Sequence, residues 1–135
     1  MHRRAARPLL RLLVGLAAGG PVCLLAGCSS ASQPEVEKVA AVFENPAVAP
    51  QSRCALLAPK TLEVVEESSP CTDALQQLPF QGGDVRSVQV WGGGAQAKVG
   101  SDTVFLTETD AGWKVTAALC QPRGEAPYDC QVEGP

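Results

Sequence analysis

Past Gln81-Gly82-Gly83 the apolar residues recur at every second position, in short runs cut off by clusters of Gly and Asp. Side chains alternate across an antiparallel sheet, and tight turns need residues that tolerate positive φ, so this pattern predicts hairpins in series. Val85, Val88 and Val90 open a run that ends at Trp91; Gly92-Gly93-Gly94 turns it and Ala95–Val99 returns. Gly100-Ser101-Asp102 leads into Thr103–Thr107, and Asp110-Ala111-Gly112 into Trp113–Leu119. The glycine triplet has strand on both sides and no Lys-Ser/Thr after it, so it reads as a hairpin loop and not as a phosphate cradle. Asp102 and Asp110 read as turn residues.

The segment before the hairpins has a different period. Val36, Val39, Ala40 and Phe43 fall on one side of a helix starting at Glu35, and Glu35 and Glu37 suit its positive end. Asn45-Pro46 stops that helix. Residues 51–57 can form a short helix that buries Cys54 and Leu57, and Pro59 suits the first position of the next, which carries Leu62 and Val65 inward. Glu63, Glu66 and Glu67 occupy its solvated face, and helical spacing gives calcium none of the loop oxygens it prefers. Thr72 or Asp73 caps a last turn over Ala74–Leu78. Helices first and hairpins second give an α+β domain of about four strands, its helices packed on one sheet face.

Residues 1–27 read as a removable leader. A basic start with Arg3, Arg4, Arg7 and Arg11 precedes an apolar run broken by Gly19-Gly20-Pro21. That run is short of the roughly 20 apolar residues a permanent span requires. Leu25-Ala26-Gly27-Cys28 resembles the bacterial lipobox, in which the cysteine thiol is acylated and the chain is then cut just ahead of it. Several acyl chains on Cys28 would hold the protein firmly, because each buried methylene contributes about 0.8 kcal/mol. The implied location is the extracytoplasmic face of the cell membrane, and the Arg3-Arg4 pair leaves both general and twin-arginine export open. Residues 28–34 (CSSASQP) read as a flexible tether and residues 35–135 as the single domain.

Past residue 27 the chain keeps seven of its eleven basic residues and all fourteen acidic ones, a net charge of −7. That balance excludes nucleic acid as a partner. The one histidine, His2, lies in the leader, so the mature chain has no Ser-His-Asp triad, no Cys-His pair and no His-ligated zinc. Cys23 leaves with the leader and Cys28 is the acylation site, so Cys54, Cys71, Cys120 and Cys130 remain. Outside the cytoplasm an even set reads as disulfides, with three connectivities open. Of these, Cys54–Cys71 with Cys120–Cys130 closes the short loops, each stabilising by about 3 kcal/mol in the loop-entropy treatment. The lack of a Cys-x-x-Cys spacing argues against a metal-thiolate or redox site, so neither metal nor cofactor is expected.

Several stretches together carry a wider resemblance: Cys54-Ala55-Leu56-Leu57-Ala58-Pro59, Cys71, Val104-Phe105-Leu106, Gly112-Trp113-Lys114-Val115, and Cys120 followed by Pro122-Arg123 and Pro127-Tyr128-Asp129-Cys130. Over residues 35–135 the chain resembles a family of small actinobacterial envelope lipoproteins with no assigned reaction. The resemblance implies a nuclear transport factor-like roll, also called cystatin-like or SnoaL-like, in which helices cover a curved sheet around a cone-shaped pocket. It also implies the sequential disulfide pairing. Two positions depart from the pattern. Residues 44–53 (ENPAVAPQSR) replace a Gly-Asp-rich turn, and Leu119 stands where relatives commonly have Gly.

Phe43, Phe80, Trp91, Phe105, Trp113 and Tyr128 are the large groups that could line such a cone, although ordinary core packing accounts for each of them. Enzymes built on this roll need a base of tuned pKa with an oxyanion partner such as Tyr. Tyr128 is the only tyrosine, it lies in the loop expected between Cys120 and Cys130, and no Asp is placed inside the cone by the sequence. The expected function is therefore a non-catalytic binding or interaction module for a protein partner or a small apolar ligand. The alternatives are an isomerase- or dehydratase-like pocket and a structural subunit of an envelope complex.

Overall fold

The computed structural model describes residues 27–135, with side-chain surroundings from residue 31 onward. The expected leader cleavage and the acylation of Cys28 lie outside the described side chains. Four helices precede five strands: α1 Gly27–Glu44, α2 Pro50–Cys54, α3 Pro59–Val65 and α4 Cys71–Gln77, then β1 Val85–Trp91, β2 Gly94–Val99, β3 Asp102–Thr109, β4 Gly112–Arg123 and β5 Ala126–Glu133. Every neighbouring pair of strands is antiparallel, and spatial order follows chain order from β1 to β5.

Each hairpin closes where the sequence turns on Gly or Asp. Trp91 pairs with Gly94, Val99 with Asp102, Thr109 with Gly112 and Arg123 with Ala126. Gly100 shows why glycine is needed. Its φ is +56°, and a Cβ there would lie 2.5 Å from the carbonyl oxygen of Gly82, because the β2–β3 turn packs on the loop that precedes β1. The Gly100 N–H bonds the carbonyl of Asp84 at 3.0 Å in the same contact.

One face of the sheet is covered by helices. Val36, Ala40 and Phe43 of α1 share one buried cluster with Ala95, Ala97 and Val99 of β2, Val104 and Leu106 of β3, and Val115 and Ala118 of β4. β5 reaches β4 only as far as Ala117, and residues 56–58 take its place beside the start of β4. There the Ala58 N–H bonds Val115 O and the Val115 N–H bonds Leu56 O, both at 2.8 Å. Cys54–Cys71 joins α2 to α4, and Cys120–Cys130 joins β4 to β5 at directly opposed positions. These are the sequential pairs.

Two expectations are corrected. The sheet has five strands and not four, and Tyr128 and Cys130 lie on β5 rather than in a loop. Proline is disfavoured inside a sheet, but Pro122 falls where the β4–β5 register shifts and Pro127 sits on an edge strand, places where a missing N–H is tolerated. Residues 28–34 lie within the span of α1, with Pro34 inside the helix.

Candidate functional site

The chemistry least expected from the sequence lies at the C-terminal end of α1. Val36, Ala40 and Phe43 define its buried face, and the same spacing carries that face on to Glu44, the last residue of the helix. Glu44 is completely buried, and neither carboxylate oxygen has a hydrogen-bond partner. Four residues before the buried Leu57, Arg53 on α2 is also buried. Its Nε donates to the carbonyl of Phe43 at 2.6 Å, its guanidinium lies 3.9 Å from the Phe80 ring centre, and Nη2 has no partner. Phe80 meets Phe43 edge-to-face with centroids 5.6 Å apart, so the cation rests in an aromatic corner.

Glu44 and Arg53 do not touch. Among the described residues the ion pair within 4.0 Å is the exposed Lys60–Glu63, at 2.9 Å. Burial pushes the Glu44 carboxyl up from 4.5 to about 7, and the nearby Asp102 adds to the rise; the Leu119 backbone and Arg53 offset part of it. The Leu119 N–H faces the carboxyl without reaching hydrogen-bond geometry. Burial also lowers the Arg53 pKa, which Glu44 partly counteracts. Asp102 is held apart by Gln121, whose Nε2 donates to Oδ1 at 2.7 Å.

Leu119 belongs to this site through its backbone. Thr103 pairs with Cys120 and Phe105 with Ala117, so Ala118 and Leu119 together stand opposite Val104 in a β-bulge. Leu119 has φ +52°, the only positive φ of a non-glycine residue among those described. An L-residue in this region costs about 1–2 kcal/mol.

The six aromatic residues expected around a cone separate into three places. Phe43, Phe80 and Trp113 are buried between the helices and the sheet, where they fill space. Trp91 is exposed at the end of β1. Phe105 and Tyr128 meet edge-to-face at 5.1 Å on the other side of the sheet. With Ala117, Pro127 and Glu133 they line an open hollow of about 380 Å³, beside Cys130 and its disulfide. A hollow of about 320 Å³ lies between α1 and the β3–β4 turn, floored by Val39, Val42, Leu56 and Trp113. A third, of about 260 Å³, lies between α2 and α4. None of the three is lined by Glu44 or Arg53.

Among the described residues no three His, Cys, Asp or Glu side chains cluster as metal ligands, and no helix is long and apolar enough to cross a membrane. Glu63, Glu66 and Glu67 are exposed, and Glu63 is engaged by Lys60. Comparison with protein-family models, with curated proteins and with solved structures finds no match to this chain.

Proposed function

We propose that the protein is an extracytoplasmic lipoprotein, held at the outer face of the cell membrane by acylated Cys28, that works as a non-catalytic binding module for a protein partner. The observation that carries the binding reading is the inequality of the two sheet faces. The helix-covered face is filled by Phe43, Phe80 and Trp113, whereas the other face leaves Phe105 and Tyr128 around an open apolar hollow. A small ligand calls for an enclosing pocket, and a shallow hollow rimmed by an aromatic pair and Glu133 suits a protein surface better.

The extracytoplasmic reading draws support from cysteine use, since all four cysteines beyond Cys28 are paired, as an oxidising compartment favours. The finer fold we propose is the nuclear transport factor-like roll of the small actinobacterial lipoproteins that the sequence resembles, with its cone filled. A catalytic role finds less support. Glu44 has the tuned acidity of a general base, but it lines none of the three hollows described above.

The test is photo-cross-linking in intact cells. The full-length chain carries a photoreactive phenylalanine analogue in place of Tyr128 or, as a control, of the exposed Val64 on α3. A discrete adduct from position 128 and none from position 64 is expected. Equal adducts from both, or none from 128, would overturn the assignment of the open face.

A further inference from the structure

We propose that Glu44 is a proton-operated latch: its uncharged carboxyl lets the end of α1 dock against α2 and the β4 bulge, and ionisation releases that end. The geometry leaves a carboxylate nowhere to go. Both oxygens are sealed from water and without a hydrogen bond, although an ionised carboxyl requires several. The nearby cation does not reach it: Arg53 Nε donates to the Phe43 carbonyl and the guanidinium lies on the Phe80 and Phe43 rings, with Nη2 left unpartnered.

The compensating charge that the surrounding elements supply is Arg53, and it stays beyond ion-pair distance. From α2 comes Arg53, from β3 comes Asp102, an anion itself, and β4 contributes only the backbone of Leu119. The loop before β1 brings the Phe80 ring and the backbone of Gly82, which packs on the Glu44 carbonyl. Asp73 on α4, Asp84, Arg86 on β1 and Lys98 on β2 are all exposed. The strained Leu119 is consistent with a site under tension, since such backbone persists only where its surroundings hold it. An anion at this point is repelled by Asp102, and the Leu119 backbone and the unpaired Arg53 offset only part of the cost of burying it. Movement of α1 away from the bulge would let water reach it.

Leu119 precedes Cys120, whose disulfide partner Cys130 borders the open hollow, so the latch adjoins the face to which we assign binding. The latch itself does not depend on that assignment or on the lipid anchor.

Hydrogen exchange on the folded, disulfide-intact chain reads the opening directly. With Glu44 titrating at about 7 when closed and at 4.5 when open, amides of residues 40–45 and 117–121 should lose about twentyfold in protection factor from about pH 5.5 to about pH 7.5. Glu44→Gln keeps the shape without the ionisation, and its protection in these segments should stay flat. Asp102→Asn removes the repelling neighbour, so the midpoint should move to lower pH, which gives an independent readout if Glu44→Gln fails to fold. Wild-type protection that is independent of pH, or a midpoint unmoved by Asp102→Asn, would overturn the proposal.

Discussion

Replacing Cys54 and Cys71 together by Ala removes the link between α2 and α4, and the structure sets the size of the effect. The two cysteines are 17 residues apart in sequence. The loop-entropy relation gives about 3 kcal/mol for a loop of that length, against slightly less for the ten-residue separation of Cys120 and Cys130. The two links differ more in what remains after they are cut. Cys120 and Cys130 sit opposite each other on strands already joined by a hydrogen-bonded ladder. The helices α2 and α4 have only five and seven residues, too short to persist alone. Loss of the first link should therefore cost the full 3 kcal/mol or more and loosen the corner that holds Arg53. In a domain of this size that lowers the thermal midpoint by roughly 12–24 °C, at about 4–8 °C per kcal/mol. Thermal unfolding of residues 35–135 by circular dichroism, with the remaining disulfide intact, measures it. Ala is preferable to Ser because Cys71 is buried and a hydroxyl there would lack a partner. A midpoint lowered by less than the loss produced by cutting Cys120–Cys130 would refute the reasoning.

Two further outcomes follow from the same structure. Glu44 holds its proton more tightly folded than unfolded, so its contribution is fully present below pH 4.5, declines as pH rises to about 7, and is gone above that. At about 1.4 kcal/mol per pH unit the loss amounts to about 3 kcal/mol; Glu44→Gln should match wild type near pH 4.5 in denaturant titrations and exceed it above pH 7. Gly100→Ala should destabilise by at least about 1 kcal/mol, since its Cβ meets the Gly82 carbonyl at positive φ, and an unchanged denaturation midpoint would contradict that contact.

Much of the meander was legible because hairpins leave a local record. The clusters at 92–94, 100–102 and 110–112 are turn chemistry, and all three became turns within a residue or two. β5 left no such record, since its prolines mimic a loop and its strand character depends on pairing with β4. The helix was read as ending at Asn45-Pro46, with its apolar face taken only as far as Phe43. Extending the same period by one position would have placed Glu44 on the buried face, and Arg53 could have been found four residues ahead of Leu57 in the same way. What the sequence does not encode locally is their meeting, which depends on the 45–49 turn bringing α2 back against the end of α1. The division of the aromatics was hidden for a related reason. The β4 bulge at Ala118-Leu119 shifts the alternation midway along the strand, so period alone does not assign the two faces there.

The central claim is that this domain acts outside the cytoplasm on a lipid tether, and the intact mass of the protein extracted from membranes tests it most directly. The account predicts a mature chain that begins at Cys28 and carries the added mass of a diacylglyceryl group, with all four remaining cysteines oxidised. A membrane-extracted chain beginning elsewhere, or one with a free, unacylated Cys28, would contradict it.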